Sequence, residues 1–163
     1  MGIPSSQLRS RSTTRIGNAF TRLVEMSAQR SIFLAPLPAV GGRYVGREMI
    51  RQPMPCDHIG WFKSDGQPIC WDDKSCSVKS GFAIGNDNIV KPHQRQFLIE
   101  AGRNGAISGL LVEGTHAEVR LVVWVPWRLL ETRETVIHWD DQRLVKVGSV
   151  NAEINFEWLR KVA

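Results

Sequence analysis

Asp57 and the run Asp72-Asp73-Lys74 are the residues of this sequence whose types and spacing could carry out chemistry. Hard divalent cations such as Mg²⁺ take oxygen ligands, keep several waters, and are held by one or two carboxylates together with substrate phosphate. Such a metal lowers the pKa of a bound water and offsets the charge that builds at phosphorus. A lysine beside it can orient or deprotonate the attacking water and stabilise the pentacoordinate oxyanion. Two buried carboxylates without a cation repel, so one of them is pushed to a raised pKa. The competing reading is structural: Asp57 and Lys74 form a cross-strand ion pair, while Asp72 and Asp73 face water.

The segment PCDHIGWFKSDGQPICWDDKSC, residues 55–76, must position these groups. It reads as two short strands around Asp65-Gly66, a dipeptide suited to the centre of a type I′ turn. In that register Asp57 faces Lys74, Ile59 faces Asp72 and Trp61 faces Cys70. Side chains alternate along a strand, so Cys70, Asp72 and Lys74 share one face and Trp71 and Asp73 take the other. Asp57 is then the diagonal neighbour of Asp72, about 7–8 Å away at the backbone, within reach of one shared cation. A slip of one residue would move Asp57 to the wrong face.

Around this hairpin the chain alternates helix and strand patterns. Residues 1–12 are polar, rich in Ser and Arg, and read as a flexible basic arm. Thr13 or Thr14 can cap a helix to about Gln29, with Ile16, Ala19, Phe20, Leu23 and Val24 on one face. SIFLAPL reads as a short strand stopped by prolines, and residues 38–55 as a basic loop with a little strand. After a loop rich in Gly, Asn and Asp, Pro92 suits the first turn of a helix through Arg103. GAISGLLVE and AEVRLVVWV are β-rich runs around a Gly-containing turn, hence a second hairpin. A short helix after Pro126, a strand at TVIHW, a turn at DDQR and a closing apolar segment complete the chain. Residues 13–163 thus read as a single domain of α/β class, with a central mixed sheet flanked by helices.

Composition narrows the function classes. The 163 residues suffice for one domain with a real core. No apolar run approaches the roughly 20 residues needed to span a bilayer, and the N-terminus lacks the apolar stretch of a secretory signal. Cys56, Cys70 and Cys76 are an odd number without framework spacing, which points to reduced thiols and the cytoplasm. The net charge of +5 is unevenly placed. Residues 1–56 hold eight arginines (9, 11, 15, 22, 30, 43, 47 and 51) against two acids, a net of +6. The remainder holds 13 basic and 14 acidic residues, a net of −1. Arginine forks pair bidentately with phosphate oxygens, so the first third reads as a nucleic-acid face. The first dozen residues could equally be a basic tail that aids solubility.

Other conspicuous residues carry blander readings. The spacing of Cys56, His58, Cys70 and Cys76 does not match usual zinc sites, and the hairpin register sends His58 to the face opposite Cys70. His138 with the second Trp-Asp-Asp triplet, Trp139-Asp140-Asp141, reads as a solvated turn because no acid-x-Lys follows. The six tryptophans could stack on bases, but alternating positions in apolar strands make core or dimer packing the default. Neither a nucleophile elbow nor a Gly-rich phosphate loop is present.

The pattern Asp … [Asp/Glu]-x-Lys on adjacent strands resembles the PD-(D/E)xK nuclease signature. Its surroundings add detail: CDHIGWFKSDGQPICWDDKSC, a loop with SGFAIGNDNIV, HQRQFL on a helix, then GRNGAISGLLVE and EVRLVVWVPWRLL. Over about residues 50–130 this order is similar to that of the RecU-type Holliday junction resolvases, whose nuclease core archaeal-type junction resolvases share. The resemblance implies a restriction-endonuclease-like core and a Mg²⁺-dependent endodeoxyribonuclease, with Mn²⁺ able to substitute. It implies Asp57 and Asp72 as metal ligands, the Asp73 backbone carbonyl as a third, Lys74 as the catalytic lysine and Gln94 as support for the water or for Lys74. Lys91 and His93 would sit near phosphate, and Arg9, Arg11, Arg15, Arg22, Arg43, Arg47 and Arg51 would bind DNA. The glutamate that such families add from the first helix has Glu25 as its nearest counterpart. Asp72 stands where glutamate is commoner, and Val40–Pro55 is shorter than the RecU stalk. The implied partner is a four-way DNA junction cut by paired nicks, which suits a homodimer. No membrane and no small-molecule cofactor are expected. Another nuclease of the same fold, or a non-catalytic DNA-binding recombination protein, are the alternatives.

Overall fold

The computed structural model describes residues 19–37, 42–45, 48–51, 54–132, 134–149 and 154–162. The Thr13/Thr14 cap, the arm at 1–12 and Arg9, Arg11, Arg15 and Arg47 lie outside them.

The elements follow in the order α1 (residues 19–31), β1 (Ile32–Leu34), β2 (Gly42–Val45), β3 (Glu48–Arg51), β4 (His58–Phe62), β5 (Pro68–Ser75), β6 (Gly81–Phe82), α2 (Pro92–Arg103), β7 (Ile107–His116), β8 (Val119–Pro126), α3 (Trp127–Leu130), β9 (Ile137–His138), β10 (Val145–Ser149) and α4 (Phe156–Val162). Six strands form one sheet in the order β1-β4-β5-β7-β8-β10. Only the β5–β7 pair is parallel. A parallel pair needs a crossover, and α2 supplies it. The class is therefore α/β with a mixed sheet flanked by helices, as the sequence suggests. Two small ribbons, β2–β3 and β6–β9, stand apart from this sheet.

Strand alternation divides the core in two. Cys70, Leu110, Val112, Val123 and Val125 face α2 and α3, with Leu98, Leu129 and Leu130 packed on them. Phe62, Ile69, Trp71, Leu111, Val122 and Trp124 face the other way, toward α1 and α4. The buried stripe of α1 is Phe20, Val24 and Ala28, four residues apart. Each fully buried large apolar side chain contributes about 1.5–3 kcal/mol. The expected stripe is thus corrected: Ala19 is exposed and Leu23 half-buried, because the sheet sits along the i, i+4 row.

Both hairpins form, with turns other than those expected. The first has a four-residue loop, in which Phe62 N–H donates to Gln67 O (2.9 Å) and Gly66 N–H donates to Phe62 O (2.9 Å). Gly66 alone takes a positive φ, +73°. The register is therefore His58–Trp71, Ile59–Cys70 and Trp61–Pro68, two residues away from the type I′ register. A shift of two preserves which face each side chain takes. In the second hairpin the turn residues are Ala117 and Glu118, both at positive φ, and not a glycine. Gly114 lies within β7, where a Cβ would come within 2.4 Å of the Trp139 ring. Among the described residues no helix is long and apolar enough to cross a membrane.

Candidate active site

The acids sit where β5 runs between its two neighbours, on the α2 side of the sheet. The register β4–β5, continued one step beyond His58–Trp71, sets Asp57 directly opposite Asp72. The diagonal placement expected from the sequence is corrected accordingly. Asp57 lies just before β4 and is exposed, whereas Asp72 is completely buried. Asp57 Oδ2 accepts a hydrogen bond from Asp73 N–H (2.9 Å), so a side chain takes over where the backbone ladder stops.

Lys74 pairs with Asp72, not with Asp57: its ammonium lies against Asp72 Oδ2. Both Asp72 and Asp73 side chains are out of water, at 0% and 4% exposure, which removes the solvated-acid reading. Gln94, at the third position of α2, donates Nε2–H to Asp72 Oδ1 (2.8 Å) and accepts from Lys74 Nζ (3.4 Å). Its Oε1 also accepts from Lys91 N–H at the helix start (3.4 Å). Pro92 opens α2 as expected, since its missing N–H and fixed φ suit the first helical position. Helix and strand are thereby joined through one buried amide. Lys91 is exposed and His93 half-buried at this same helix N-terminus.

Burial, then the charge of Asp57, pushes the Asp72 carboxyl up to about 7 against the opposing pull of Lys74. Asp72 Oδ2 is buried without an aligned hydrogen-bond donor despite the ammonium in contact with it. Among the described residues no group of three or more His, Cys, Asp or Glu side chains is arranged to hold a metal ion. The oxygen donors at this point are the carboxylates of Asp57 and Asp72. Hard oxygen donors of this kind, one of them a buried carboxylate, suit Mg²⁺ or Mn²⁺, which complete their shells with water.

The remaining candidate residues fall elsewhere. Glu25 is exposed on α1, on the opposite side of the sheet, where its charge acts on His58. Arg22 is exposed on the same helix, and Arg43 and Arg51 lie on β2 and β3. Sequence reasoning missed the Asp73 side chain, which it treated as a spacer. Asp73 Oδ2 is 2.9 Å from His58 Nε2, and Oδ1 accepts from Trp71 Nε1–H (3.0 Å). Burial raises Asp73, with the His58 hydrogen bond opposing. Burial alone would lower His58, but the Asp73 carboxylate overrides it and the shift is upward. The signal was available: His58, Trp71 and Asp73 share a face by strand parity.

The fold and this cluster define an α/β protein with a carboxylate pair and a lysine on one face of a mixed sheet. In comparisons with known proteins, no family model and no curated protein matches the chain.

Proposed function

We propose that this protein is a Mg²⁺-dependent, structure-selective DNA endonuclease with a PD-(D/E)xK core, acting as a Holliday junction resolvase in the cytoplasm. The observation that carries the reading is the convergence of Asp57, Asp72, Lys74 and Gln94 on one sheet face. Asp57, Asp72 and the Asp73 carbonyl would hold the cation, which when bound activates water and neutralises charge at phosphorus. The lysine ammonium would orient the attacking water and donate to an anionic phosphoryl oxygen. Gln94 fixes Asp72 and Lys74 relative to each other, so neither must reorganise as charge develops. Lys91 and His93 lie at a helix N-terminus, which favours phosphate. The arginines of the first third would grip the arms of a branched DNA, making affinity steeply salt-dependent. A homodimer would give the two active sites that a two-fold symmetric junction needs. The 5′-phosphate product is what the nuclease resemblance implies.

A second reading has its own observation. The Lys74–Asp72 pair already neutralises one acid without a metal, as in a non-catalytic DNA-binding protein. Cleavage of an end-labelled four-way junction in Mg²⁺ or Mn²⁺, beside linear duplex, decides between them. Paired symmetric nicks by the wild type, absent from Asp72→Asn, are the expected result. Binding without cleavage in both proteins would establish the non-catalytic reading, and equal cutting of duplex would remove the junction specificity.

A further inference from the structure

A buried ionisable pair that the proposed chemistry leaves unused lies behind the acids, on the α1 side of the sheet. His58 is 7% exposed and the Asp73 side chain 4%. Both carboxylate oxygens of Asp73 are committed, Oδ2 to His58 Nε2 (2.9 Å) and Oδ1 to Trp71 Nε1–H (3.0 Å). The His58 and Trp71 rings stack with centroids 4.7 Å apart, and Thr21 of α1 adds a hydrogen bond to Asp73. On the other side of the same residue, Asp73 N–H donates to Asp57 Oδ2 (2.9 Å). Asp73 therefore ties a clamp on one face of the sheet to a proposed metal ligand at the edge of the other.

We propose that His58 and Asp73 are positioning residues that set the place of the Asp57 carboxylate through the Asp73 backbone; this rests on the nuclease reading above. The register explains the need. The β4–β5 ladder ends at His58–Trp71, so Asp57 lies one step past the last residue of β4 that pairs with β5, while Asp73, two steps past Trp71, keeps only its β7 neighbour, Leu111. Asp57 is exposed there, and a short side chain in water samples several rotamers. The Asp73 N–H selects one of them, and it can do so only while the Asp73 peptide is held. The β7 ladder holds that peptide along one edge. On the β4 edge, where pairing has ended, His58 and Trp71 hold the Asp73 side chain and so the aim of its N–H. Ligand groups whose supports are fixed bind metal more tightly, by about 10–100-fold per supporting partner.

Mn²⁺ binding, followed by the electron paramagnetic resonance signal of the free aqua ion, tests this without reference to cleavage. The set is wild type, His58→Ala, His58→Gln, Asp73→Asn and Val24→Ala, each also melted thermally. Val24 is fully buried on the same α1 face and serves as a control for lost packing. His58→Ala should weaken Mn²⁺ binding about 10-fold or more, and His58→Gln, whose amide can still donate to Asp73, should recover most of it. Val24→Ala should lower the melting temperature and leave Mn²⁺ affinity unchanged. If His58→Ala does not fold, Asp73→Asn reads the same link and should show the same weakening. Wild-type affinity in a folded His58→Ala or Asp73→Asn, or an equal loss in Val24→Ala, overturns the positioning role. A wild type that binds no Mn²⁺ instead removes the metal-dependent nuclease reading, and the positioning role with it.

Discussion

The chain contains the triplet Trp-Asp-Asp twice, and the two copies receive opposite electrostatic fates. In Trp71-Asp72-Asp73 the tryptophan is fully buried and both acids are withdrawn from water on a strand between two neighbours. Burial raises both carboxyls. In Trp139-Asp140-Asp141 the tryptophan is again buried and donates Nε1–H to Val78 O (2.9 Å). Its acids, however, lie in turns, with Asp141 N–H donating to His138 O and Leu144 N–H donating to Asp141 O, both 3.1 Å. Asp140 is exposed, and hydrogen bonds from Arg143 hold the Asp141 carboxyl below its ordinary value. The residue types are the same; the element that follows decides. Two further strand residues bring Lys74 back to the Asp72 face, whereas two turn residues bring Arg143 out into water.

The largest effect should come from breaking the buried copy. Asp72→Asn or Asp57→Asn should lower junction cleavage by about 10³-fold or more, since a metal ligand supplies several kcal/mol of transition-state stabilisation. Asp140→Asn and Asp141→Asn should leave the rate unchanged, as read from initial rates on a labelled four-way junction. Next comes Lys74→Gln. It removes the ammonium but keeps a polar side chain near Gln94, and should cost about 10²–10⁴-fold in rate. Junction affinity measured by gel shift should change little, which separates a role in chemistry from a role in binding.

A thermodynamic contrast should accompany the kinetic one. Asp72 is held near 7, above its unfolded value of 3.8, so between those values the folded state binds more protons than the unfolded one. Metal-free stability should therefore fall as pH rises from 4 to 7, by up to about 1.4 kcal/mol per pH unit. The upward shifts of Asp73 and His58 act in the same direction. Urea midpoints at pH 5 and pH 8 measure the slope. Asp72→Asn should flatten it, and Mg²⁺ should restore the wild-type midpoint at pH 8, because binding to the folded state alone adds stability. A wild-type midpoint that rises with pH would show that Asp72 is not held above its ordinary value.

Much of this arrangement is legible in the sequence because period and punctuation are local. Pro92 marks the start of α2, and alternation in β5 assigns its faces correctly. What is hidden depends on choices that local residues leave open. Asp65-Gly66 serves a two-residue turn or the last half of a four-residue loop, with Gly66 at positive φ in either case. Face assignment survived that ambiguity because the shift was even, yet the partner of Asp72 changed from Ile59 to Asp57. Lys74 likewise has two acids in reach, and only the depth of Asp72 shows which one it neutralises. Gly114 reads as turn punctuation, although its reason is the Trp139 ring across a tertiary contact. Strand parity alone puts His58, Trp71 and Asp73 on one face, but the closing of α1 over that clamp depends on a helix outside the hairpin.

The smallest effect belongs to the exposed copy, and it sharpens the contrast because the bonds there are numerous. Arg143 contacts both oxygens of Asp141 and both oxygens of Glu134, more ionic hydrogen bonds than Asp72 makes. If bond count set stability, Arg143→Gln would be the more damaging change. Water, however, solvates these charges nearly as well when they are apart, and salt screens what attraction remains. Arg143→Gln should therefore shift the urea midpoint only slightly at low salt, and the difference should shrink further in 0.5 M NaCl. The pH slope of metal-free stability between 5 and 8 should stay as in the wild type, because the acids freed by the substitution are ionised throughout that range. A large, salt-insensitive loss would mean that this turn is part of the core's scaffold, and burial would no longer be what separates the two triplets.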